Sequence, residues 1–446
     1  MVFLNELQPY SKSFLVNCIG EESISFLLKE SILVKKDEST YSLNFVGLIA
    51  FKGILVSVLP KYSTIEEEKE KLDLTVKLIK VFRKYEKSNY RKLTSDFYPL
   101  NKGNEFSSIL GLSDFFLKDF IYNGYYEREI EEIINDGEDE ISWEETISEI
   151  VPYFVNKKPY YFTTKNIEYR NDESNIVIAI HQNIIYQNYI KFGKILDYNI
   201  TNFIVPNLSL DVLGSKTYLI NILRREMQFV FNDHKIRLLK AMIVFLSDEF
   251  VNHNNDLSIF GTKNFEYIWE TILKRVFSDR KNDLRQSVPE EVWKKHTALW
   301  ENFINSSYGN SDEYKPDIIS IAGRNLLILD AKYYNIKSTE KGFSGNPGIN
   351  DIAKQHIYEI IYGEVFNDHK IMNALLFPSD SINDEYELIG RVQLELLRQP
   401  PIILFYINAA TVFDFYLNDH AFNEDTLLGF CEIIETNRIK KRIPKV

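Results

Sequence analysis

The sequence predicts an α/β protein in three parts: a small β domain over residues 1–62, a mostly helical middle region over 63–255, and a C-terminal mixed sheet flanked by helices over 256–446. Three observations carry that reading. Tyr41–Leu59 is dense in β-branched and aromatic residues and is broken by a Lys52-Gly53 turn. Ile65–Glu86 places Leu72, Val76, Leu78, Ile79 and Phe82 at close to helical spacing among many charges. Beyond residue 256, helical patterns alternate with short apolar runs bounded by turn residues, the pattern of helices packed on a sheet.

In chain order, Ile24–Val34 reads as a strand, Lys35-Lys36-Asp37-Glu38-Ser39 as a turn, and Pro60 as the stop that ends the β part. Ser108–Tyr126 is a second helix candidate. Residues 127–149 carry eleven Asp or Glu and the single Arg128. They read as a solvated helical face broken at Asn135-Asp136-Gly137, the alternative being a surface that repels DNA or docks a basic partner. Tyr160–Thr164 and Ile176–His181 look like strands, and 210–255 like two long helices. His181, His234 and His253 have no partner at helical spacing and read as structural. The polar cluster Asn252–Asp256 marks a boundary, followed by helices at Asn264–Val276 and Asn350–Tyr362 and strands near Asn373–Phe377 and Pro401–Asn408.

With 446 residues, 45% of them apolar, the chain has ample material for a core. A net charge of −12 is not that of a protein that coats nucleic acid without help. Cys18 and Cys431 match no metal spacing and suggest no disulfide framework, and no apolar run approaches the ~20 residues that span a bilayer, so a cytoplasmic protein is expected.

The chemistry sits in Tyr314–Tyr334. Two apolar runs, Ile318–Ala322 and Leu326–Ala331, flank Gly323-Arg324, and glycine at the first central position suits a type II′ hairpin turn. With those two residues as the loop, Ala322 pairs with Asn325, and counting back places Asp317 opposite Asp330. Lys332, two residues on, joins the same face. Opposed carboxylates destabilise a sheet unless a cation compensates them, and hard oxygen ligands suit Mg²⁺ or Mn²⁺. The alternative is a solvated hairpin end with an incidental Asp–Lys pair.

Pro316-Asp317, twelve residues, then Asp330-Ala331-Lys332 resembles the PD-(D/E)xK nuclease superfamily. The chain looks most like nuclease subunits of McrC type and of the LlaJI restriction endonuclease family. Val46-Gly47-Leu48-Ile49 with Pro60-Lys61, and Ser142-Trp143 with Thr146-Ile147, are similar to motifs of such subunits. The resemblance implies metal-assisted hydrolysis of double-stranded DNA, leaving a 5′-phosphate. Asp317 and Asp330 would hold Mg²⁺ (or Mn²⁺) and Lys332 would assist the attack. A glutamate on the preceding helix would complete the site; Glu266 and Glu270 share one face, and Trp269-Glu270 better resembles the family pattern. Gln355, in Lys354-Gln355-His356-Ile357-Tyr358, would orient Lys332, a backbone phosphate or a metal-bound water.

No G-x-x-x-x-G-K-[ST] occurs in the chain, so it is expected to bind no nucleotide. The resemblance supplies that function from a separate McrB-like AAA+ GTPase or ATPase, with residues 1 to about 250 docking it. The competing readings are an autonomous site-specific restriction enzyme and a catalytically silent scaffold. The basic segment Lys274–Lys295 and the tail Arg438–Lys445 are the only electrostatic support for the autonomous enzyme.

Overall fold

The computed structural model describes residues 1–51, 54–89, 96–100, 106, 108–172, 175–247, 257–280, 316–339, 342–397 and 399–438. The chain forms two compact units, Met1–Pro99 with Ile259–Val446, and Leu100–Ser258. The segments 1–62, 63–255 and 256–446 are thus grouped differently in space: the first packs with the third, and the middle one divides near residue 100.

The first unit holds two five-stranded sheets. One runs in the order Val2–Asn5, Ile54–Leu59, Val46–Phe51, Leu257–Thr262, Phe97–Tyr98. Val46–Phe51 is buried along its whole length, so it reads as a continuous apolar run instead of an alternating one. Gly47 and Gly261 face each other on neighbouring strands at φ 146° and 149°. A Cβ on Gly47 would lie 2.2 Å from the Phe260 carbonyl oxygen, which gives the Val46-Gly47 motif a steric reason. The helix of Glu68–Asn89 follows as expected. Ile24–Val34 corrects the sequence reading: Glu21–Lys29 is a helix with two glutamates in its first turn and Lys29 in its last, and only Leu33–Lys35 pairs as a strand.

The second sheet is mixed, as predicted, in the order Ile318–Ala322, Asn325–Ala331, Lys370–Ser379, Ile402–Asn408, Tyr386–Val392. The helix Phe265–Val276 buries Phe265, Ile268, Trp269, Ile272, Leu273 and Val276, an apolar stripe at i, i+3, i+4 and i+7 spacing. Trp269 is fully buried and meets Phe413 edge-on. Trp269→Ala is expected to cost about 3–5 kcal/mol of stability, measurable as a lowered urea midpoint. The helix Ile349–Val365 lays Tyr358 and Tyr362 on Ile319, Leu326 and Ile328. Side chains alternate along strands, so Asp330 and Lys332 continue the Leu326–Ile328 row and Asp317 continues the Ile319 row. All three therefore face the side of the sheet that this helix covers.

In the second unit, Ile109–Asn123, Ile176–Asn188, Lys216–Glu226 and Asp233–Ser247 share a core that includes Phe116, Ile180, Ile184, Leu223, Leu239 and Met242. Two expectations are corrected here. Ile176–His181 begins a helix: the Asn175 side chain accepts from the Val177 N–H at 2.8 Å, and an apolar run this short suits either element. The acidic run is not one helical face, because Glu129–Asn135 is a strand antiparallel to Lys165–Asn171 and only Trp143–Glu149 is helical. Of Tyr160–Thr164 only Tyr160 lies in a strand, Lys158–Tyr160. His181 is buried, its Nδ1 accepts from the Tyr126 N–H at 2.9 Å, and burial lowers its pKa to about 4. His234 pairs with Asp119 at 2.6 Å; His253 lies outside the described residues. Among the described residues no helix is long and apolar enough to cross a membrane.

Candidate active site

Gly323 takes φ 56°, the positive value that the first central position of a type II′ turn needs. Ala322 faces Asn325, and the ladder runs to Ile318 opposite Leu329. One more step sets Asp317 opposite Asp330, the register counted from the sequence. Here the ladder gives way to a side chain: Asp317 Oδ2 accepts from the Ala331 N–H at 2.9 Å.

Lys332 sits between two carboxylates, its Nζ 2.8 Å from Asp330 Oδ2 and 2.8 Å from Asp351 Oδ1. Burial disfavours its ammonium, but the charges of Asp330 and Asp351 and its hydrogen bonds to them outweigh that, and its pKa lies above the ordinary lysine value. Asp317 moves the other way. Burial first, then the charges of Asp330 and Glu270, push its carboxyl up to about 7 against the opposing pull of the Ala331 N–H and Lys332.

The remaining predicted residues are placed less directly. Glu270 acts on Asp317 by its charge, but its carboxylate is paired with Lys274 one turn along the helix. Glu266 is exposed, and its charge acts on Glu6 instead. Gln355 is buried, and its Nε2 turns away from the predicted role: it donates to the Ile328 carbonyl at 3.2 Å and to Asn373 Oδ1 at 2.8 Å. It ties its helix to the strand that carries Asp330. Of the basic segment, Lys274 is paired with Glu270 and Arg275 with Asp419 at 3.6 Å, while 281–295 and the tail beyond Arg438 lie outside the described residues.

Asp351 was not foreseen. It occupies the first turn of Ile349–Val365, where an acid is favoured by the helix dipole, so its presence had a local explanation that hid its contact with Lys332.

Among the described residues no three of His, Cys, Asp or Glu already converge as a metal cage. The carboxylates available to a cation here are Asp317 and Asp330, with Glu270 near enough for its charge to act on Asp317. Asp330 and Asp351 pair with the single ammonium of Lys332, whose charge also acts on Asp317, and Asp330 Oδ2 is buried with that ion pair in place of a well-directed hydrogen bond. Surplus carboxylate oxygen of this kind suits a hard ion such as Mg²⁺.

The N-terminal sheet reaches the site through the residue after Lys332. Tyr333 donates to the buried carboxylate of Glu6, which also accepts from the Lys61 N–H at 3.1 Å, and the Lys61 ammonium lies 4.2 Å above the Tyr333 ring. Asn335 Nδ2 donates to the Lys61 carbonyl at 2.8 Å. Pro60-Lys61 thus clasps the segment that leaves the strand just after Lys332. Tyr333→Phe strips Glu6 of a buried hydrogen bond and is expected to cost about 1–3 kcal/mol, read as a lower melting temperature.

Residues 45–410 match the model of the LlaJI restriction endonuclease family. The chain belongs to that family. The match contains Asp317, Asp330, Lys332 and Asp351, as well as the Val46-Gly47 strand. A curated relative, the Type II restriction enzyme BsuMI component YdjA of Bacillus subtilis (strain 168), is 32% identical over 448 aligned positions, covering 99% of this chain and 94% of that one. Two solved structures show a distant likeness at 12% identity. In the half-complex from a tetradecameric assembly of Thermococcus gammatolerans McrB AAA+ hexamers with bound McrC, the TM-score is 0.38, with 96% of this chain and 99% of that chain covered. In the cryo-EM structure of the Thermococcus gammatolerans McrBC complex it is 0.26, with 62% and 87% covered.

Proposed function

We propose that this LlaJI-family chain is the Mg²⁺-dependent DNA-cutting subunit of a restriction system, built on a PD-(D/E)xK core and acting with a McrB-like AAA+ NTPase. The observation that supports the site is the hairpin register, which brings Asp317, Asp330 and Lys332 to one end of one sheet face.

Asp317 and Asp330 would hold the metal, joined by Glu270 in exchange for its pairing with Lys274. When bound, Mg²⁺ supplies a Lewis acid that activates water for attack on a phosphodiester and neutralises developing charge. The chain's own residues supply the rest. Asp317 gives up its proton to serve as a ligand, which its pKa of about 7 allows near neutral pH. Lys332 presents a fixed positive charge to the anionic phosphate as charge builds in the transition state. The buried row of Leu326 and Ile328 beneath them keeps the local dielectric low, which strengthens both effects.

The partner is supported by the name of the Bacillus subtilis relative, a component, and by a net charge of −12, which leaves DNA affinity to another chain. A cleavage assay with the purified chain, a McrB-like AAA+ protein from the same organism, Mg²⁺ and nucleotide tests the reading. Cutting is expected only with all four present. Equal cutting by the chain alone would refute the subunit reading, and intact DNA in the complete mixture would refute the nuclease.

A further inference from the structure

We propose that Asp351 is a positioning residue for Lys332, holding the ammonium in place when a cation takes over the Asp330 oxygen that Lys332 now occupies. This rests on the reading of Asp330 as a metal ligand. Lys332 Nζ is shared equally, at 2.8 Å, between Asp330 and Asp351, and its side chain is only 16% exposed, so it cannot retreat into water without leaving its place. A divalent ion on Asp330 both displaces the ammonium and repels it. The anchor that remains is Asp351, and it belongs to a different element from the hairpin.

That element is well fixed. Tyr358 and Tyr362 pack it onto the sheet, and Gln355 bonds it to the Ile328 carbonyl and to Asn373, one turn beyond Asp351. Asp351 thus holds Lys332 from a rigid helix, while Asp330 holds it from the strand that receives the metal. By sharing Lys332, Asp351 also weakens the competition between the ammonium and the cation for Asp330.

The test is Mn²⁺ binding to the full chain by calorimetry, with cleavage by the chain and its partner measured in parallel. Asp351→Asn is expected to weaken Mn²⁺ binding about 10-fold, because Lys332 then falls wholly on Asp330. Lys332→Met is expected to tighten binding, and adding Asp351→Asn to it is expected to change nothing further. Cleavage should lose kcat with little change in KM in Asp351→Asn and recover in Asp351→Glu, which keeps the charge. An equal loss of Mn²⁺ affinity on both lysine and methionine backgrounds would overturn the proposal and make Asp351 a ligand. Unchanged binding and cleavage in Asp351→Asn would also overturn it. Asp330→Ala separates the two levels: Mn²⁺ binding unaffected by that change refutes the metal site itself.

Discussion

Asp330→Ala is expected to lower single-turnover DNA cleavage by at least about 10²–10³-fold, with Lys332→Ala close behind. Asp330 has two tasks in the proposed site, as a ligand for the cation and as one of the two supports of Lys332, so its removal takes away both at once. The fold should survive. Asp330 stands in register with Asp317, so deleting it relieves repulsion between opposed carboxylates, which offsets the loss of its ion pair with Lys332 while Asp351 still neutralises the ammonium. An unchanged or raised melting temperature alongside lost cleavage would therefore place the defect in chemistry rather than folding. Lys332→Ala leaves Asp330 and Asp351 unneutralised, so it should lose stability as well as activity. Cutting that persists in both variants would rule out this hairpin as the cutting site.

The hairpin was legible because its geometry reduces to a count: a two-residue turn fixes register, and period-two alternation then fixes the face of Asp317, Asp330 and Lys332. Helix Phe265–Val276 was equally open, since its six buried residues recur at helical spacing. Asp351 was not, because its meeting with Lys332 depends on how a helix docks after an intervening loop, which no periodicity records. Gln355 shows the same limit from the other side. Its helix was readable, but whether its amide turns to Lys332 or to the Ile328 carbonyl is decided by packing. Ile176–His181 misled because a short β-branched run suits a buried helix as well as a strand, and Ile24–Val34 because its apolar residues serve a half-buried helix that starts at Glu21 and gives way to a strand at Leu33. The grouping of the chain escaped for a topological reason: Leu257–Thr262 returns to the N-terminal sheet, and Gly261 packs on Gly47 across more than two hundred residues.

Asp317→Asn is expected to abolish cleavage while stabilising the chain in the absence of metal. The Asp317 carboxyl titrates at about 7 in the folded chain against an ordinary value of 3.8, so the native state binds this proton more tightly than the unfolded state does. Its contribution to stability is full below the unfolded value and is lost as pH rises from about 4 to 7, leaving an unfavourable buried charge above that range worth on the order of a few kcal/mol. Asparagine has no charge to bury, and its side-chain oxygen can still accept from the Ala331 N–H, so the fold keeps its bond and loses the penalty. In EDTA, the melting temperature of the wild type should fall between pH 4 and 7.5 more steeply than that of the variant, and the variant should be the more stable at pH 8. Mg²⁺ should then restore the wild type and do little for the variant, since the ion replaces the proton on a ligand that the variant lacks. For the same reason Mn²⁺ affinity of the wild type should drop about 10-fold for each pH unit below 7. Parallel pH profiles would refute the burial of an uncompensated charge at Asp317, and equal stabilisation of both proteins by Mg²⁺ would remove Asp317 from the metal site.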